Sequence, residues 1–252
     1  MGKGISKLKR IAVTAGLASA LLFGGYKGVE HSSRSATREY AIQNVERFVQ
    51  EQEKKFYIDH QRTPSIKFGL YDDSNYGGTT YGLFDDKTGN IIINDHACVT
   101  PNSPIRNWIY GLFHKTKPVD YVLHHELGHA YTEEQIPKAG LQSFPDKALK
   151  DSRMRGRITG QKMISEGIAD YFAFEMLNMQ RPNPDDVWAD YPQDPIYFPK
   201  RSHFYDGGNA LVAPVLDKFG VENGIEKLLK ETPPVAFNKA SLSAYQQEML
   251  NK

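Results

Sequence analysis

The stretch PVDYVLHHELGHAYTEE, Pro118–Glu134, decides how the chain is read. Pro118 suits the first turn of a helix, where its missing N–H costs nothing. Tyr121, Val122, Leu123 and Leu127 supply apolar positions for burial, and at Gly128 a side chain would obstruct close helix packing. Within this helix, His125-Glu126-Leu127-Gly128-His129 is an H-E-x-x-H motif. Four residues make about one turn, so both imidazoles fall on one face and can reach a single Zn2+, with Glu126 beside them. His124 points about 100° away from His125 and is expected to pack or to support its neighbour.

A catalytic zinc site needs a third protein ligand and an open position for water. The next helical stretch, QKMISEGIADYFAFEMLNM (residues 161–179), offers Glu166, with Asp170 one turn further along the same face. Two carboxylates on a largely apolar helix are costly unless a positive charge neutralises them, and a metal ion would supply it. Glu166 is therefore the candidate third ligand. Asp170 is the candidate acceptor for the other ring N–H of a ligand histidine, His125 first, fixing its tautomer and raising its basicity. The alternative for the pair is an ordinary helix-surface Glu and Asp.

With these residues the sequence resembles the gluzincin group of zinc metallopeptidases, the thermolysin-like clan in which H-E-x-x-H is completed by a downstream glutamate. The resemblance rests on His125, Glu126, His129, Glu166 and Asp170 and extends from the strand NIIIND (residues 90–95) to the helix after Tyr205. Glu166, Ala169 and Asp170 also form an E-x-x-A-D arrangement like that of metallopeptidases related to the CAAX prenyl proteases. Those have several membrane spans, whereas this chain has at most one candidate. The gap from His129 to Glu166 is longer than the thermolysin-type spacing, which a loop over residues 137–160 would account for. The extended metzincin motif is absent, since Thr132 and Gln135 stand where its glycine and third histidine would fall.

The resemblance implies a zincin-like core and hydrolysis of peptide bonds by metal-activated water, with Glu126 as general base. It implies an oxyanion donor as well, for which Tyr205 and His203 in RSHFYDGG (residues 201–208) are the candidates. It also makes NIIIND a candidate edge strand for binding substrate backbone, with an ordinary core strand as the equal alternative. The competing function is a non-catalytic extracytoplasmic binding protein with a structural or vestigial metal site. Glu126 argues against that, because a purely structural site has no use for an unligated carboxylate beside its metal.

Outward from this centre, 252 residues with 40 % hydrophobic and 24 % charged content describe an ordinary globular chain. The net charge of +1 provides no bulk positive field for nucleic acid. One cysteine, Cys98, excludes an internal disulfide framework and a thiolate cluster, which leaves histidine and carboxylate to hold any metal. The charge is uneven: Lys3, Lys7, Lys9 and Arg10 precede every acid, and without these four the net charge of +1 becomes −3. They are followed by the apolar run IAVTAGLASALLF (residues 11–23), so residues 1–30 read as a signal peptide or signal anchor. The expectation is membrane association through residues 11–25, with residues 35–252 forming a peptidase domain outside the cytoplasm.

The body reads as α+β. Apolar residues at helical spacing from Ala41 to Phe56 make an amphipathic helix from about Ser35 to Tyr57. SIKFGLY, TTYGLF and NIIIND read as a small antiparallel sheet, the last two bracketing a turn at Asp85–Gly89. A short helix follows Ser103-Pro104 and completes a sheet-containing part to about residue 117. Residues 118–252 are mostly helical, interrupted by a proline-rich loop from Pro182 to Pro199 and closed by helices near 209–219, 221–231 and 240–250. Lys150, Arg153, Arg155 and Arg157 read as a solvated basic loop, and His96 and Cys98 have no partner at ligand spacing.

Overall fold

In a computed structural model of the chain, the described residues are 34–69, 81–94, 118–140, 152–189, 191, 203–231, 234 and 237–252. The apolar run at 11–25, the stretch after Ser103-Pro104, His96, Cys98 and Lys150 lie outside them, as do the side chains of Arg153, Arg155, Arg157 and His203.

The architecture is α+β. A first helix, α1, covers residues 34–56 and buries Ala41, Val45, Phe48 and Val49, the stripe that its apolar spacing dictates. Three short strands follow: β1, Ser65–Phe68, β2, Gly82–Asp85, and β3, Asn90–Ile93. Their order in the sheet is β1-β3-β2, and β3 is antiparallel to β2 but parallel to β1. The sheet is thus mixed, where a purely antiparallel one was expected. The four-residue turn, 86–89, makes the β2–β3 hairpin a local matter, whereas a parallel partner needs a longer crossover, and alternation within SIKF carries no information about direction.

Helix α2, Pro118–Lys138, carries the H-E-x-x-H segment. Its first half packs Val119, Val122, Leu123 and Leu127 against Ile91 and Ile93 of β3 and Phe48 of α1. Further along, Tyr131 joins a second core with Phe172, Ile168, Leu211, Leu216 and Phe237. One helix therefore serves both apolar clusters.

Helix α3, Ser152–Leu177, begins nine residues earlier than its apolar periodicity indicates, so the basic residues 153–157 are helical and the loop before them is shorter than expected. Arginine and lysine are good helix formers but leave no apolar signature. A short helix α4, Pro184–Ala189, buries Trp188 within the proline-rich stretch, with Pro184 at its first position. A π-helical turn, His203–Gly207, leads directly into α5, Gly208–Phe219. Helices α6, Val221–Lys230, and α7, Lys239–Asn251, finish the chain, the latter capped by Asn238 accepting from the Ser241 N–H at 2.8 Å. Among the described residues no helix is long and apolar enough to cross a membrane.

Candidate metal centre

Two close crossings set the site. A Cβ on Gly128 of α2 would stand 2.8 Å from the Ala169 Cα of α3, so the two helices touch backbone to backbone there. On the other side of α3, Gly167 lies against Gly208, where α5 starts, with equally little room for a side chain. Small residues at 128, 167, 169 and 208 let α2, α3 and the π-helical turn converge on one point.

At that point His125 Nε2 and His129 Nε2 are 3.2 Å apart, and Glu166 Oε2 lies 3.3 Å from the first and 3.5 Å from the second. A tetrahedral zinc ion with bonds of about 2.0–2.1 Å keeps neighbouring donors roughly 3.3–3.4 Å apart. The three atoms form one face of such a tetrahedron. His125 is buried, while the side chains of His129 and Glu166 are 17 % and 12 % exposed. No other His, Cys or carboxylate among the described residues joins the three, and two imidazoles with one carboxylate are a set that could hold a metal ion.

The remaining ring nitrogens are committed elsewhere. His125 Nδ1 is 2.8 Å from Asp170 Oδ1, and an ionised carboxylate can only accept, so Nδ1 keeps its proton and Nε2 is the nitrogen that would turn to a metal. This is the support expected of Asp170. His129 Nδ1 meets Ser165 Oγ at 3.0 Å, a hydroxyl that can accept from the ring N–H, and the ring then presents its Nε2 lone pair to the centre.

Positive charge is favoured at the centre. Burial depresses the His125 imidazolium, but hydrogen bonds to Asp170 and Glu166 override it and hold the pKa well above 6.5. Burial would raise the Glu166 carboxyl, yet the two imidazoles hold it well below 4.5. Without a metal that positive charge is a proton shared with Glu166, and a dication held by the same atoms would take its place.

Glu126 is 4 % exposed and is not one of the three donors. Burial pushes its carboxyl above 4.5, against the pull of His125 and His129, and the Phe84 backbone N–H donates to it. Its side chain lies flat on β2: a Cβ at Gly82 would stand 2.8 Å from Glu126 Oε1 and 2.5 Å from Val122 Cγ1. The strand bordering the site is therefore β2, whose one partner strand among the described residues is β3. NIIIND, read either as an edge platform or as a core strand, is the second: β3 is the central strand, flanked by both others, with Ile91 and Ile93 buried.

Tyr205, on the π-helical turn, has its ring 5.9 Å from that of His125. The structure thus brings it to the centre with the other candidates. His124 is packed away from the metal face: Gln52 Nε2 lies 3.3 Å from its Nδ1 and donates to its backbone carbonyl at 3.1 Å, and Phe48 stacks on it at 4.5 Å. Gln52 Oε1 also meets His60 Nε2 at 3.1 Å.

Two residues were missed. Tyr121, counted only as apolar, donates its hydroxyl to Asp170 Oδ1 at 2.6 Å. Ser165, the partner of His129, precedes the candidate ligand by one position and carries no signal of its own. For Tyr121 the signal was present, four residues before His125 and so on the same helix face.

No protein-family model, curated protein or solved structure matches the chain.

Proposed function

We propose that the chain is a zinc-dependent peptidase with a gluzincin-like arrangement, in which His125, His129 and Glu166 hold one Zn2+ and Glu126 is the general base. The observation that carries this reading is the triangle of donor atoms at 3.2, 3.3 and 3.5 Å with a buried carboxylate beside it that is not a donor. Zinc bound there would supply Lewis acidity, acidifying water and polarising a scissile carbonyl.

The chain's own groups supply the rest. The Glu126 carboxylate accepts the proton of the attacking water and passes it to the departing amine, and its raised pKa suits both halves of that task. The Phe84 N–H and the absence of a side chain at Gly82 hold the carboxylate against β2. Asp170 fixes the His125 tautomer, and Ser165 steadies His129. Tyr205 is the donor for the oxyanion, supported by its ring lying beside His125. Peptide or protein is the substrate, and the side of β2 turned away from β3, which pairs with no strand among the described residues, is the natural place for its backbone to add. The basic and apolar segment at residues 3–23 supports a membrane-anchored or secreted protein with this domain outside the cytoplasm.

Digestion of a mixed peptide library tests the reading. The wild-type chain is expected to cleave peptides in the presence of zinc, and zinc-loaded Glu126→Gln is expected to leave them intact. Equal products from both would remove Glu126 from the chemistry, and no cleavage by zinc-loaded wild type would favour a binding protein.

A further inference from the structure

We propose that Tyr121 is a positioning residue of the metal centre, acting through Asp170 to hold His125 in place. This rests on reading His125, His129 and Glu166 as metal ligands. Asp170 Oδ1 receives two donors from one helix, the Tyr121 hydroxyl at 2.6 Å and the protonated His125 Nδ1 at 2.8 Å. Residues 121 and 125 are one turn apart on α2, so a single oxygen on α3 ties α2 at two successive turns. Glu166 sits one turn before Asp170 on the same helix. The tie therefore fixes the axial register between the helix that carries two ligands and the helix that carries the third.

The tyrosine is itself held. Its ring stacks on that of His125, 5.9 Å between centroids and 23° between planes, and meets Phe174 edge-on at 6.3 Å. A tyrosine present only to fill space would be served equally well by phenylalanine. Here the hydroxyl reaches a carboxylate that is 2 % exposed, at a length typical of a charge-assisted O–H···O bond. With two donors on Oδ1, the Asp170 carboxylate has one orientation. With the hydroxyl removed, it is free to turn about its terminal bond, and the direction of the His125 Nε2 lone pair loosens with it.

The test uses the full chain, Zn2+ as probe and a chromophoric chelator as competitor, on wild type, Tyr121→Phe, Asp170→Ala and the double variant. Thermal unfolding of the zinc-free forms is followed in parallel and sets a titration temperature at which every form is folded. Tyr121→Phe is expected to weaken zinc binding about 10-fold. In the Asp170→Ala background, which leaves no acceptor for the hydroxyl, the same change is expected to have no further effect on zinc affinity. The zinc-free unfolding midpoint of Tyr121→Phe should fall, as loss of one hydrogen bond to a buried carboxylate does. Zinc affinity unchanged by Tyr121→Phe, or a full additive loss in the double variant, would each overturn the positioning role while leaving the metal centre intact. A wild-type chain that binds no zinc would overturn both.

Discussion

Gly128 of α2 and Ala169 of α3 meet where a single added methyl group would come within 2.8 Å of backbone. That contact sets the helix separation at the level of the candidate ligands, because Gly128 lies next to His129 and Ala169 next to Asp170. Gly128→Ala should cost about 1–3 kcal/mol by overpacking, read as a lower denaturant midpoint. It should also weaken zinc binding by forcing the donors apart. A variant of wild-type stability and affinity would show that the helices can separate without consequence.

Gly82 leaves the space in which the Glu126 side chain lies. Gly82→Ala should displace the carboxylate from β2, lowering kcat while zinc affinity stays near that of wild type, since residue 82 touches no ligand atom in the triangle. Steady-state kinetics and a zinc titration on the same preparation separate the two effects. A loss of zinc with kcat per bound zinc unchanged would contradict the assignment.

Tyr205→Phe removes the hydroxyl from a ring that lies 5.9 Å from that of His125 and should lower kcat about 100-fold with little change in KM, as for loss of one oxyanion donor. An unchanged kcat would transfer the role to another group.

His60 is buried between Gln52 and Tyr131, and burial pulls its pKa from 6.5 down to about 4. The folded protein thus binds fewer protons here than the unfolded chain at intermediate pH. Stability from this group is complete above pH 6.5 and is lost as the pH falls from there toward 4, on the order of 3 kcal/mol in all. His124 adds to the same trend, with burial lowering it to about 3. His60→Gln should flatten the difference in unfolding free energy between pH 6.5 and 4.5, measured by denaturant titration. A slope equal to that of wild type would mean that His60 protonates without penalty.

The site was more legible than the scaffold. His125 and His129 are separated by one turn, as are Glu166 and Asp170, so spacing alone put each pair on a face, and Gly128 signalled a tight crossing through its missing side chain. The parallel pairing of β1 with β3 was not legible, because strand direction is decided by distant chain and not by alternation within four residues. The early start of α3 was hidden by a basic run that has helix propensity but no apolar stripe. Tyr121 was half legible: its position on the His125 face followed from spacing, but its partner on another helix did not. The Gln52 link between His60 and His124 depends wholly on how α1 docks on α2.

Equilibrium titration of the metal-free chain with Zn2+ tests the centre itself most directly, carried out on wild type and on Glu166→Ala. One zinc ion per wild-type chain and a large loss of affinity in Glu166→Ala is the expected result. A wild-type chain that takes up no zinc, or a Glu166→Ala variant that binds it as tightly as wild type, would contradict a centre formed by His125, His129 and Glu166.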